Sequence, residues 1–284
     1  MKIQPQEPYQ NNPFFIAVNG LNLLFRAAQN IAILGLVIAG FSLLLNYAQT
    51  AIDASNPANQ AGLTNDERIE AQEKQITDFV QQVTTASVEQ IMLVSLAVVT
   101  VIIVIFIAGS FLSAIFDYTS AKLAKGDTVS FKQAISGATK RFGSYIWLQI
   151  NISVRIFLWS LLFIVPGIYK AVRYTLSGVV FYSGKPQSAA ASINRSEKLV
   201  QGAWLTTFAS HMLFNLITLG VISTLLTPGT NAILYRQYTQ LEHNKQSKPK
   251  AHMLSWLTVS LPIVGVTLVL LTIAALITYG ISQL

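Results

Sequence analysis

The chain has 284 residues, of which 52% are hydrophobic and only 11% charged, with a mean hydropathy of +0.50. Soluble domains carry about a quarter charged residues, so this deficit excludes an ordinary soluble globule and points to a membrane. The net charge of +7 falls mostly between apolar runs, which favours orientation in a bilayer and contact with anionic lipid over nucleic acid.

Residues 1–30 begin with a polar tail, "MKIQPQEPYQNN". From Pro13, the residues Phe14, Phe15, Val18, Leu21, Leu24 and Phe25 recur at helical spacing up to Arg26, which predicts an amphipathic helix lying in the interface. A first span follows at about 31–47. It starts too far from Met1 and runs too long for a cleaved signal peptide, so it reads as a signal-anchor. Residues 49–89 are acidic, with Asp53, Asp66, Glu67, Glu70, Glu73, Asp78 and Glu89 against Arg68 and Lys74. "TNDE" at 64–67 is a capping box, and Ile69, Ile76, Phe79, Val80 and Val83 keep one face of the following helix apolar. The pattern predicts a water-exposed helix that runs without a break into a second span at 91–116. Such a helix would project about 35 Å beyond the bilayer. Its apolar stripe either packs on the protein's own outer surface or, over 64–89, serves self-association or a protein partner. The next segment is basic, with Lys122, Lys125, Lys132, Lys140 and Arg141. This contrast predicts a cytoplasmic amino terminus, an outer 49–89 and a carboxyl terminus outside, in the cell membrane.

Within 126–242 the chain reads as a tandem parallel repeat, 126–183 and 184–242, offset by about 60 residues. Each copy has an amphipathic helix, an apolar span, a Pro-Gly pair and a short return arm. Proline lacks the amide that a helix interior needs and glycine accepts reversing dihedrals. Pro166-Gly167 and Pro228-Gly229 are therefore expected at the apices of helical hairpins. Residues 243–284 hold a basic loop and a last span at 254–279, kinked at Pro262. The expected fold class is all-α: a polytopic helical membrane protein with about six to seven membrane segments, Pro-Gly-broken hairpins and interfacial amphipathic helices.

Polar groups stand out in these spans. Asn151 and Arg155 share one helix face at i, i+4, His211 and Asn215 share another, and Lys170 and Arg173 follow the first Pro-Gly. Ionisable residues at membrane depth are costly and usually face a bundle interior or a cavity. Arg155, Lys170 and Arg173, with His211, Asn151 and Asn215, form a candidate site for an anionic headgroup or solute. No carboxylate is evident in the spans to pair with these cations. The alternative is structural: the cations snorkel to the interfaces and the amides join helices.

The run "LWSLLFIVPGIYKAVRYTLSGVVF", followed by "KPQSAAASINRSEKLVQG", resembles prokaryotic integral membrane families related to the membrane domain of glycerophosphoryl diester phosphodiesterases. Pro166, Gly167, Lys170, Tyr174, Pro186, Ile193, Ser196, Leu199 and Gly202 take the places of that pattern over about 130–240. The resemblance implies the architecture and lends no catalytic residues, because the phosphodiesterase catalytic domain is missing and the acidic insertion at 49–89 departs from the pattern.

The chain has no cysteine and three scattered histidines (His211, His243, His252), so neither a thiolate site nor a structural zinc is expected, and no cofactor. No Gly-x-Ser-x-Gly elbow, P-loop or paired intramembrane carboxylates occur, and an enzyme is not expected. Three functions remain. The first is a non-catalytic protein that organises or binds membrane lipid or envelope partners. The second is a transporter or permease subunit with a cavity lined by the Pro-Gly breaks. The third is a sensor or regulator that uses the outer acidic helix.

Overall fold

The structure is a computed structural model, and it describes residues 9–55, 64–184, 187–217, 223–260, 264–265, 267–268 and 271–272. The described residues are helical, with no strand among them. They divide into two compact units, Val37–Ser110 and a larger one formed by Met1–Leu36 with Phe111–Leu284.

In the larger unit, α1 (Pro13–Ala27) starts where the Asn12 side chain accepts from the Phe14 amide, with Pro13 in the first turn. Ala28 leaves helical geometry and α2 (Gln29–Ser55) follows. Ile16, Ala17, Gly20, Leu24 and Ala27 are buried on one face of α1. That face packs on α10 (Trp204–Ile217) and α11 (Ser223–His243). The expected interfacial helix therefore buries its apolar stripe in protein, and Phe14 and Phe15 remain on its exposed side. The α1–α11 crossing brings backbone to backbone. A Cβ at Gly20 would lie 2.5 Å from the Thr230 amide, and one at Gly229 would overlap the Gly20 carbonyl oxygen.

α4 (Val88–Ala124) enters this unit at Phe111. α5 (Phe131–Thr139) opens on a capping box between Ser130 and Gln133. Then come α6 (Phe142–Leu162), α7 (Ile164–Tyr174), α8 (Ser177–Ser183) and α9 (Ala189–Val200), the last capped by Ser188. Tyr145, Leu148, Phe181, Ile193, Leu24 and Ile31 are almost wholly buried in one core, and Ile16, Leu176, Val179, Leu199 and Tyr238 in a second.

Neither Pro-Gly pair is a hairpin apex. The first break lies three residues earlier, at Phe163, whose extended backbone (φ −162°, ψ 149°) separates α6 from α7. Pro166 then sits in the first turn of α7, where a helix has no partner for an amide anyway. Gly167 lets α7 fold back tightly, since a Cβ there would overlap the Ser160 hydroxyl. Pro228 lies inside α11, five residues after its start. Residues 218–222, between α10 and α11, lie outside the described residues. The first return arm is also not one helix, because Thr175 and Leu176 form a turn between α7 and α8.

In the smaller unit, α3 (Asn65–Thr85) has the expected capping box, with the Thr64 amide donating to Glu67 Oε2 at 2.7 Å and the Glu67 amide to Thr64 Oγ1 at 3.4 Å. Those hydrogen bonds hold the Glu67 carboxyl below its usual pKa. The expected unbroken helix into the second span does not form. Ala86 is extended, and Ser87 and Gln90 exchange side-chain and backbone hydrogen bonds that start α4 afresh. Ile69, Ile76 and Val80 on α3 are exposed.

Among the described residues, three helices are long and apolar enough to cross a membrane: Gln29–Ile52 of α2, Val88–Ala124 of α4, and Phe142–Leu162, which is α6. About half of the last expected span, 254–279, is described, and those residues are helical, while Pro262 lies outside the described residues.

Candidate functional site

The candidate site is built where α6, α7 and α9 meet. α6 and α7 fold back on each other through the Phe163 break, and α9 packs against both. Lys170 and Arg173 are three residues apart on α7, so they share the face that meets α9. Ile193, Ser196, Leu199 and Val200 are the buried stripe of α9, and Glu197 sits at its edge.

Lys170 Nζ lies 2.5 Å from Glu197 Oε1, and an Arg173 Nη lies 3.3 Å from the same oxygen. Arg173 also donates to the Glu197 carbonyl at 3.2 Å and to the Tyr169 hydroxyl at 3.3 Å. Ser196 Oγ returns a bond to the Arg173 carbonyl at 2.8 Å. These side chains are mostly buried, with 14% to 22% of each exposed. The expectation that the cations meet no carboxylate is overturned: one glutamate from α9 bridges two of them.

Burial alone would raise the Glu197 pKa. The Lys170 hydrogen bond and the charges of Arg173, Lys170 and Arg155 outweigh it, so the carboxyl is held below its ordinary value of 4.5. Breaking the bridge would leave two half-shielded cations and cost about 1–2 kcal/mol, a figure reduced for the remaining solvent screening. Aromatic rings line the cations. Lys170 Nζ is 5.0 Å from the Trp159 ring centroid, and the Arg173 guanidinium is 5.4 Å from that of Tyr169. Tyr169 in turn meets Trp204 edge-on.

Arg155 on α6 is half-buried and makes no hydrogen bond or ion pair among the described residues, although its charge is felt at Glu197. Lys170 and Arg173 thus bond to one carboxylate, and Arg155 acts on it only through its charge. Asn151, one turn before Arg155, donates to the Trp147 carbonyl at 2.8 Å and borders a different space, a cavity of about 500 Å³ near Ser144, Gln187 and Ser188. His211 is not part of the cluster. Its Nδ1 faces the Thr207 carbonyl at 2.8 Å and its Nε2 the Asn231 side chain at 2.9 Å, so it ties α10 to α11. The Asn215 side chain lies outside the described part of the chain. The structure therefore brings together Lys170 and Arg173, sets Arg155 beside them, and places Asn151 and His211 elsewhere.

Three features escaped the sequence reading. Glu197 stands in "NRSEKL" between Arg195 and Lys198 and resembles any solvated charge run. The residues paired with it are 24 and 27 positions away, and only its place beside the buried stripe of α9 could have marked it. The second is a polar cluster at the α4–α6–α8 contact. Tyr145 donates to Asp117 Oδ2 at 2.5 Å and accepts from Gln149 Nε2 at 2.5 Å, while Gly178 leaves room for the Asp117 carboxylate. Lys248 is a third fixture: it donates to the Lys198, Leu199 and Gln201 carbonyls and so caps the α9 carboxyl end. Gly202 follows with φ +80° and completes that end.

On its outer side α6 is apolar. Trp147, Val154, Phe157 and Leu158 are exposed, and the tip Leu161, Leu162, Phe163, Ile164 and Val165 is between 62% and 76% exposed. No family model, curated protein or solved structure matches the chain.

Proposed function

We propose that the chain is a non-catalytic multi-pass protein of the cell membrane that binds and organises lipid, and that the α6–α7 pair engages anionic headgroups. The observation that carries this reading is the position of the exposed apolar tip, 161–165, beside the cation cluster of Arg155, Lys170 and Arg173. An apolar tip of five successive residues is stable in hydrocarbon and not in water. Cations and a tryptophan at its neck suit the headgroup layer.

The depth follows from α9. It packs beside α6, and its exposed Arg195–Glu242 pair suits water. The first half of α6 then lies at headgroup level and the tip inside the membrane, so the α6–α7 pair is re-entrant. α7, at about 16 Å, is too short to cross a hydrocarbon core of about 30 Å. Turn backbone at that depth is tolerated where protein covers it. In this reading α2 and α4 cross fully. Counting both arms of α6–α7, both of α10–α11 and the last apolar stretch gives about seven membrane segments. The basic segment after α4 lies in the cytoplasm and 49–89 outside. The resemblance to the phosphodiesterase-related membrane families agrees with such an architecture.

The test is to express the whole chain, wash its membranes with alkaline carbonate, and then extract it in mild detergent for native mass spectrometry. The expected result is full retention in the washed membrane and co-extraction of anionic lipid. Release by carbonate, or a lipid-free extract under conditions that keep lipid on a control membrane protein, would overturn the reading.

A further inference from the structure

We propose that Glu197 is a built-in competitor for the phosphate of an anionic lipid: the carboxylate occupies the cations that the phosphate needs, and lipid binds by sharing or displacing it. The inference rests on the lipid-binding reading and deepens it. Lys170 and Arg173 both reach one Glu197 oxygen, at 2.5 and 3.3 Å, so a single small anion already sits where their donors converge. A lipid phosphodiester carries one negative charge spread over two free oxygens, which is the same recognition chemistry as a carboxylate.

The cluster has donor capacity that Glu197 does not use. Arg155 has no hydrogen bond among the described residues, and the Arg173 Nε is buried without a partner. A guanidinium presents a planar fork suited to phosphate, and two of these three cations are arginines. The neighbourhood also selects lipid over a free ion. Trp159 stands 5.0 Å from Lys170, and Leu158, Leu162 and Phe163 are exposed on the side of the tip, where acyl chains would lie against them. The plain alternative is that Glu197 is only a staple between α7 and α9.

The two ideas predict opposite outcomes for Glu197→Gln. A staple that loses its charge weakens the protein and gains nothing. A competitor that loses its charge frees two cations while the amide still accepts their hydrogen bonds. The full chain would be placed in nanodiscs containing phosphatidylglycerol and phosphatidylcholine, and retained lipid read by native mass spectrometry. The wild type is expected to enrich phosphatidylglycerol, Glu197→Gln to raise that enrichment about threefold or more, and Arg155→Gln to lower it about tenfold. Arg155 bonds to nothing among the described residues, so its variant stays folded and keeps the test decisive should the Glu197 variant unfold.

Unchanged or reduced enrichment in folded Glu197→Gln overturns the inference while leaving lipid binding intact. So does an Arg155→Gln variant equal to wild type. Displacement of the lipid by millimolar inorganic phosphate would overturn the commitment to a lipid ligand. Absence of any phosphatidylglycerol enrichment in the wild type would instead remove the underlying reading.

Discussion

The two Pro-Gly pairs look alike in sequence and act differently in the fold. At Pro166-Gly167 the chain has already broken at Phe163, and the pair opens the new helix α7. At Pro228-Gly229 the helix α11 runs straight through. What they share is the glycine: each stands where another helix comes too close for a Cβ. At Gly167 the neighbour is chiefly the Ser160 side chain, whereas at Gly229 it is the backbone of Gly20. The comparison teaches that a Pro-Gly pair need not mark a helix boundary, while its glycine sets how closely helices pack.

The sharpest way to break this comparison is to add the missing methyl groups. Gly229→Ala should cost about 3 kcal/mol or more, because two backbones must separate and no side chain can yield. Thermal unfolding of the detergent-solubilised chain would show it as the largest loss, and no side-chain deletion should restore stability. Gly167→Ala should cost less, about 1–2 kcal/mol, and Ser160→Ala should recover part of that loss because it removes the overlapping hydroxyl. A Gly167→Ala loss untouched by Ser160→Ala would undo the distinction.

A smaller effect comes from Glu197, which holds α7 to α9. Its pKa is lowered in the folded state, so its contribution is complete above the ordinary carboxylate value of 4.5 and is lost as pH falls through the folded value. The wild type should therefore lose up to about 1 kcal/mol more than Glu197→Gln on acidification below that value, read from paired melts across pH. The smallest effect belongs to Pro166. It occupies the third position of α7, where an amide has no helical partner, so Pro166→Ala should change stability by about 0.5 kcal/mol or less. A large loss would mean that the proline itself makes the turn.

Local signals were legible in the sequence. The Thr64–Glu67 capping box starts α3 as its spacing implies, and the apolar runs of α2, α4 and α6 form the long helices expected of them. The break before α4 had a local signal that the expectation of an unbroken helix missed: Ser87 and Gln90 have the same capping spacing as Ser130 and Gln133. The apolar run around them hides it. What could not be read was pairing across the chain. Nothing near Glu197 says that it meets Lys170 and Arg173, and nothing near Gly20 says that it meets Gly229. Both depend on how α1, α7, α9 and α11 pack, and helix periodicity tells which face is buried without naming its partner. The Phe163 break was misplaced for a related reason. Pro-Gly marks a helix boundary only to within a turn, and the first turn of α7 tolerates proline as well as a loop does.

The depth of the α6–α7 tip tests the account most directly. The chain has no cysteine, so Phe163→Cys introduces a single thiol at the tip, and a separate Glu70→Cys variant places one on the exposed acidic helix as a control. Sealed membranes would be treated from each side with an impermeant maleimide. A re-entrant tip predicts that the tip thiol stays unlabelled from both sides until detergent is added, while the control thiol reacts from one side. Labelling of the tip thiol from the same side as the control, at a similar rate, would mean a hairpin that fully crosses the membrane and would contradict the re-entrant tip.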